Sequence, residues 1–254
     1  MILDDLKGKR VLVTGSSSGI GAAAATAFGE HGSFVVVHYF KNEAGAREVA
    51  AKIEQDGGKV ALVSGDLRNP ETAASVVRAA AEAAGGLDIL VNNAGGLAGQ
   101  SKLDSHDNAL LDETLDLNVR SLLAVTAAAH PYLKQAGGGS IINVGSIAAR
   151  NGGRPGSAFY AAAKAFVHSL TRSMATEFAA DNIRVNTIAP GVILTPFHDG
   201  TPKERLEAVR SSVPLGRLGE AEECAGAILY LASNAMSGYA TGDTIDVNGG
   251  RLMA

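Results

Sequence analysis

The chain has 254 residues, 46% of them hydrophobic and 19% charged, which is enough apolar material for one sizeable core. A net charge of -4 with no basic run argues against a nucleic-acid partner, and no apolar stretch is long enough to cross a bilayer. The start, Met1 to Lys7, lacks the features of a signal peptide, and the single cysteine, Cys224, cannot form an internal disulfide, so a cytoplasmic protein is expected.

Short apolar segments alternate with helical ones from end to end. The first strand is expected around Val11-Leu12-Val13 and runs directly into Thr14-Gly15-Ser16-Ser17-Ser18-Gly19-Ile20-Gly21. A helix is predicted at 19–31. Glycines there let backbone approach a pyrophosphate, whose charge the free N–H groups of the helix start attract. The spacing differs from the more familiar Gly-x-Gly-x-x-Gly fingerprint, but its place between first strand and first helix points to nucleotide binding.

The second strand centres on Phe34-Val35-Val36-Val37 and continues into His38-Tyr39-Phe40-Lys41-Asn42, with no acid before Glu43. An acid here would hold the ribose 2′-hydroxyl of NAD(H); its absence, with Lys41 present, favours NADP(H), NAD(H) remaining an alternative. Helices are predicted at 42–56 and 70–84, flanking a third strand at Val60-Ala61-Leu62-Val63. The fourth, Ile89-Leu90-Val91, leads into Asn92-Asn93-Ala94-Gly95. These four strands are nearly continuously apolar, as parallel strands covered on both faces are.

A helix at 106–136 precedes the fifth strand, Ile141-Ile142-Asn143-Val144, and Ser146 follows it. The helix at 159–180 carries Tyr160 and Lys164, one turn apart on one face. A nearby ammonium stabilises a phenolate, which is expected to bring the tyrosine toward working pH for proton transfer. Phe166, Leu170, Met174 and Phe178, with Val167, are expected to form this helix's buried stripe. Strands at Ile183-Arg184-Val185 and Ile245-Asp246-Val247 frame a helix at 220–234, in which Cys224 reads as a small buried hydrophobe. The pattern predicts an α/β fold: one domain over 1–254, doubly wound, with a seven-stranded, mostly parallel sheet and helices on both faces. The six histidines show no metal-ligand spacing, and Ser146 has no nucleophile elbow, so neither a metal nor a hydrolase is expected.

With the glycine loop and the Tyr160/Lys164 pair together, the chain resembles a short-chain dehydrogenase/reductase over essentially its whole length. The resemblance rests on Gly15, Gly19 and Gly21, on Asp66 in Gly65-Asp66-Leu67, on the Asn92–Gly95 motif, and on Asn118, Ser146, Tyr160 and Lys164. Pro190-Gly191 with Thr195 and the closing segment Gly242 to Gly250 complete it, Asn248 standing where Asp is common. It implies a Rossmann fold and catalysis by Asn118, Ser146, Tyr160 and Lys164. Tyr160 would be the general acid/base, Ser146 the orienter of the substrate oxygen, Lys164 a ligand of the nicotinamide ribose, and Asn118 the holder of a relay water. The implied cofactor contacts are Gly15, Ser17, Ser18, Gly19, Ile20, Gly21, Tyr39, Lys41, Asp66 (on the adenine), Leu67, Asn93, Ala94, Gly95, Tyr160, Lys164, Pro190, Gly191, Ile193 and Thr195.

Ser146 and Tyr160 stand fourteen positions apart, one more than is common in the family, and the loop from Arg150 to Ser157 can absorb the extra residue. Substrate choice is expected from Gly96–Gln100, residues 147–157 and a lid at about 195–213, where Arg150 and Arg154 are either anion ligands or solvated loop cations. The resemblance extends to 3-oxoacyl-[acyl-carrier-protein] reductases and to sugar and polyol dehydrogenases. Carrier-dependent members dock their partner through arginines near the ends of the two long helices; the equivalent places here hold Gly137 and Asp181. A small sugar, polyol or ketone is therefore preferred, with the carrier-bound substrate as alternative. A dinucleotide-binding sensor or scaffold without turnover is the reading from another class. The resemblance also implies a homotetramer.

Overall fold

A computed structural model of the protein describes residues 3–253, so the first two residues and the last one of the expected domain lie outside it. The strands are β1 (Arg10–Val13), β2 (Phe34–Tyr39), β3 (Lys59–Ser64), β4 (Ile89–Asn92), β5 (Gly139–Val144), β6 (Ile183–Pro190), β7 (Ile193–Leu194), β8 (Gly219–Glu220) and β9 (Thr244–Val247). The helices are α1 (Gly19–Glu30), α2 (Glu43–Gln55), α3 (Pro70–Ala84), α4 (Asn108–Leu115), α5 (Ser121–Gln135), α6 (Ala148–Asn151), α7 (Ala158–Phe178), α8 (Lys203–Ser211), α9 (Ala221–Ala232) and α10 (Asn234–Ser237).

Seven strands form one sheet in the order β3-β2-β1-β4-β5-β6-β9, and every pair is parallel. The sheet is wholly rather than mostly parallel. The chain winds outward from β1 to β3, then returns to place β4 on the other side of β1. This reversal opens a crevice at the carboxyl ends of β1 and β4.

Alternate strand residues point to opposite faces, so each strand feeds two cores. Val11 and Val13 of β1 pack with α1, α2 and α9, while Leu12 packs with α3, α5 and α7. Leu90 and Ile141 are fully enclosed in the second core, where truncating Leu90 to alanine would cost about 2–5 kcal/mol. Cys224 is fully buried in the first core, and burial pushes its thiol up to about 12, the behaviour of a small hydrophobe.

The amino edge of the sheet is stapled. Asp88, just before β4, accepts from the backbone N–H of Arg10 at 2.8 Å and from its Nε at 2.7 Å, and Arg10 Nη1 reaches the Gly85 carbonyl at 2.6 Å. The Asp88 carbonyl accepts from Ser140 at 3.1 Å, so one residue ties β1, β4 and β5 together.

Three expectations need correction. The helix expected at 106–136 is α4 and α5 joined by a π-helical turn, Asp116–Arg120, centred on Asn118. The small pair β7 and β8 inside the segment after β6 was missed, because two-residue strands leave no periodic signal. The expected α7 stripe is wrong in part. Phe166 is exposed, and the buried positions are Ala161, Ala163, Lys164, Val167, His168, Thr171, Met174 and Ala175. A strict four-residue repeat drifts about 40° per step around a helix, so Phe166 and Phe178 sit on different faces.

Candidate active site

The crevice holds a cleft of about 350 Å³ lined by Gly15, Ser18, Gly19 and Ile20 at one end and by Ser146, Tyr160 and Lys164 in the middle. Asn93, Gly95, Pro190, Gly191, Ile193 and Thr195 also face it.

The glycine loop is braced from three sides. Gly15 has φ +62°, and a Cβ there would sit 3.0 Å from the Ala94 Cα. A Cβ on Gly21 would meet the Gly15 carbonyl at 2.6 Å and collide with Asn93 Nδ2. The Asn93 amide donates to the carbonyls of Thr14 and Gly15 at 2.9 and 3.0 Å, and Thr14 Oγ1 accepts from the N–H groups of Asn93 and Ala94. From the other side, Asn42 Nδ2 donates to the Ser17 carbonyl. Ser18 caps α1 without committing its side chain, and the first turn of α1 carries no acid. The first N–H groups of a twelve-residue helix are therefore left to a ligand beside a loop that tolerates no Cβ at Gly15 or Gly21, which suits a pyrophosphate.

His38 is the loop's third support. Its ring is buried, Nδ1 accepts from the Gly15 N–H at 3.0 Å and Nε2 donates to the Gly65 carbonyl at 3.1 Å. The Nδ1 acceptor fixes a neutral ring, and burial lowers its pKa further. The sequence alone shows only that His38 lacks metal-ligand spacing. A polar residue closing an otherwise apolar strand was the available signal.

The other cofactor candidates lie at the carboxyl ends of β2 and β3. Arg68 forks onto Asp66, with Nη2 at 2.6 Å, and holds its carboxyl below the usual carboxylate range; Lys41 adds to the effect. Lys41 and Arg68 both lie over the exposed Phe40 ring, at 5.3 and 5.7 Å. The Tyr39 side chain packs against the first core and Leu67 is buried in the second, which leaves their backbones for any ligand contact.

Lys164 is buried, and its Nζ donates to the Val144 carbonyl at 2.8 Å while lying 5.7 Å from the centre of the Tyr160 ring. The two side chains share one helix face, as expected. The expected lowering of the Tyr160 pKa is not what this cleft produces. Burial pushes the phenol up, with a hydrogen bond from Ser146 as the opposing influence, and burial pushes Lys164 down to about 8. Desolvation outweighs the cation because Lys164 is spent on a carbonyl and stands off the ring.

Ser146 lies two residues past β5. Its Oγ accepts from the Ala148 N–H at 3.1 Å, which leaves the hydroxyl proton free to point at Tyr160 or a substrate oxygen. Behind it, the Ser146 N–H donates to His168 Nε2 at 3.4 Å, in a space so close that a Cβ on Gly145 would collide with the ring. His168, one turn beyond Lys164, is buried and was also missed.

Asn118 is enclosed and fully used. It donates to the carbonyls of Gly96 and Thr114 and accepts from the Gly96 N–H, locking the π-helical turn to the loop after β4. A Cβ on Gly95 would sit 2.8 Å from Asn118 Oδ1 and 3.2 Å from Lys164 Nζ, so Asn118 and Lys164 flank the same strip of backbone.

Around the open end, a Cβ on Gly19 would meet the Thr195 side chain at 3.2 Å, so the lid segment rests on the glycine loop. Arg150 is not a cleft ligand, because it pairs with Asp246. Arg154 does face the cleft. Among the described residues, no three histidine, cysteine or acidic side chains group so as to hold a metal, and no helix is long and apolar enough to cross a membrane.

Comparison with known proteins agrees with this arrangement. The family described as Enoyl-(Acyl carrier protein) reductase matches residues 15–251. L-rhamnose 1-dehydrogenase (NAD(P)(+)) from Sphingomonas sp. (strain SKA58) is 40% identical over 248 residues, covering 96% of each chain. The 3-oxoacyl-[acyl-carrier-protein] reductase FabG of Vibrio cholerae is 38% identical over 256 residues, covering 98% of this chain and 99% of its own. Among solved structures, the NADH-dependent reductase A1-R′ complexed with NAD superposes with a TM-score of 0.89 at 39% identity, covering all of both chains.

Proposed function

The chain belongs to the short-chain dehydrogenase/reductase family, an oxidoreductase acting on CH–OH groups with a nicotinamide cofactor; from that premise we propose that it interconverts a small alcohol and its carbonyl compound using NADP(H), with Tyr160 transferring the proton. The observation that carries this reading is the convergence of Ser146, Tyr160 and Lys164 in a cleft continuous with the glycine loop. When bound, the nicotinamide gives or takes the hydride.

The rest falls to the chain's own residues. The Tyr160 hydroxyl donates its proton to the carbonyl oxygen in reduction and accepts the alcohol proton in oxidation. Ser146 holds that oxygen with its free O–H and stabilises the charge developing there. Lys164 favours the phenolate less than burial opposes it, and is the group to hold the ribose hydroxyls. Asn118 keeps the Gly95–Gly96 backbone in place beside Lys164; with its side chain spent on that, ordering the relay water falls to its backbone carbonyl. Tyr160, held protonated by burial, is suited to the reductive direction at neutral pH.

The preference for NADP(H) over NAD(H) rests on the segment after β2. Lys41 supplies positive charge there, Arg68 being paired with Asp66, and no acid precedes Glu43 to repel a 2′-phosphate. A small sugar, polyol or ketone is favoured over a carrier-bound substrate because Gly137 and Asp181, the latter neutralised by Lys134 and bonded to His130 at 2.8 Å each, stand where docking an acidic carrier would need arginines. Exposed Leu123 on α5 and Phe166 on α7 support assembly through the two long helices, as a homotetramer in the cytoplasm.

Initial rates with NADPH and NADH over a panel of ketones, aldoses, polyols and acyl thioesters test the reading. Tyr160→Phe should lower kcat/KM about a hundredfold or more while NADPH still binds. Turnover surviving within about tenfold would end the case for Tyr160.

A further inference from the structure

We propose that the substrate carries an anionic group, a carboxylate or a phosphate, at the end remote from its reacting carbon, and that Arg154, Arg205 and Arg251 receive it; this rests on the oxidoreductase reading of the same cleft. The three arginines come from separate segments: the loop before α7, the lid helix α8 and the stretch after β9. All three line the cleft, as does His198.

Two features favour an anion at these arginines. No aspartate or glutamate lines any part of the cleft, although the chain has more acids than bases, 26 against 22. Elsewhere Arg10, Arg47, Arg68, Arg120, Arg150, Arg210 and Arg217 each pair with a carboxylate. Among the described residues, the three cleft arginines form no ion pair, a state shared outside the cleft by Arg78, Arg172 and Arg184, so their charge is free to meet a ligand. Like charges gathered in a concave site raise its potential and draw an anion in. Guanidinium forks then hold a carboxylate or phosphate with two donors each.

The space between matches such a molecule. The Phe197 ring lies 6.1 Å from the Tyr160 ring, centre to centre, and the His198 ring lies 5.0 Å beyond it. A carbonyl at Tyr160 and Ser146 would lay its carbon chain along Phe197 and reach the cations with its far end. Burial, helped by Arg154, disfavours a positive charge on His198, so it offers a neutral hydrogen-bonding ring. Because Arg205 rides on α8, binding the anion would also draw the lid onto the substrate.

The test compares matched pairs that differ only in charge. They are 4-oxopentanoate and 5-oxohexanoate against their amides, galacturonate against galactose, and dihydroxyacetone phosphate against dihydroxyacetone. Each is titrated into the NADPH complex calorimetrically and assayed for turnover. At least one anion should bind about tenfold or more tightly than its neutral partner, with the advantage falling in high salt and collapsing in Arg154→Gln. The acid and phosphate arms tell the two anions apart. Neutral partners that bind as well as every anion, or no binding by any pair in a protein that holds NADPH, would overturn the proposal. So would an Arg154→Gln that weakens NADPH and leaves anion preference intact, since the cation would then serve the cofactor. Loss of NADPH binding by the wild type, in contrast, would strike the oxidoreductase reading itself.

Discussion

His168 Nε2 accepts the backbone N–H of Ser146 at 3.4 Å, so a side chain of α7 fixes the very peptide that carries the serine hydroxyl. The ring can do this only when Nε2 is unprotonated. Burial, helped by Arg150, Lys164 and Arg172 and opposed by Asp246, pushes its pKa down to about 4. Between roughly pH 6.5 and 4 the unfolded chain binds a proton that the native one refuses. Stability present above that window is therefore lost as pH falls, by about 2 kcal/mol at pH 5 from this residue. His168→Gln, which keeps an acceptor and cannot titrate, should flatten the loss between pH 7 and 5 in urea unfolding by about that amount. His168→Leu should flatten it equally but cost about 1–3 kcal/mol at pH 7 for the orphaned Ser146 N–H, and should lower kcat more than the glutamine variant. Parallel pH curves for wild type and His168→Gln would show that the histidine does not titrate in this way.

Tyr160 and Lys164 set a direction-dependent pH profile. A phenol pushed up by burial stays protonated at neutral pH, so carbonyl reduction should be flat through pH 7 and decline only in alkali. Alcohol oxidation needs the phenolate and should climb steadily from neutral into alkaline pH. Lys164, with its pKa near 8, loses charge in the same range, so Lys164→Met should shift the oxidative limb to higher pH. Initial rates in both directions between pH 6 and 10 measure it, and oxidation falling as pH rises is the contrary outcome.

Gly21→Ala places a methyl against the Gly15 carbonyl and the Asn93 amide, both of which shape the phosphate cradle. Overpacking of this kind costs about 1–3 kcal/mol, and NADPH affinity should fall about tenfold. Fluorescence titration of NADPH reads the change. Unaltered affinity would mean that the cradle yields freely and is not where phosphate binds.

Lys41→Ala should raise the KM for NADPH about tenfold and that for NADH less than twofold, since only the former has a 2′-phosphate to lose a partner. Equal effects on both would mean that Lys41 is a solvated cation and that the missing acid after β2 has another reason.

Most of the architecture was readable because buried parallel strands and their helices carry strong periodic signals. All seven strands of the main sheet fall where the apolar segments stood, and the glycine loop, Ser146, Tyr160 and Lys164 meet in one cleft. Readability failed where three dimensions decide. Nothing in the spacing says that Lys164 would spend itself on Val144, nor that enclosure would dominate the Tyr160 phenol. His38 and His168 act through bonds to backbone groups far along the chain, which leave no pattern among neighbouring residues. Arg150 and Arg154 looked alike as loop cations, and only the position of Asp246 separates them.

The Arg10–Asp88 clasp lies at the opposite pole of the sheet from every group invoked in chemistry. Robustness and reactivity are thereby housed in different places. Damage at that pole would make the enzyme melt earlier without altering what a surviving molecule does per second, and reinforcement there offers a route to a hardier catalyst with unchanged selectivity.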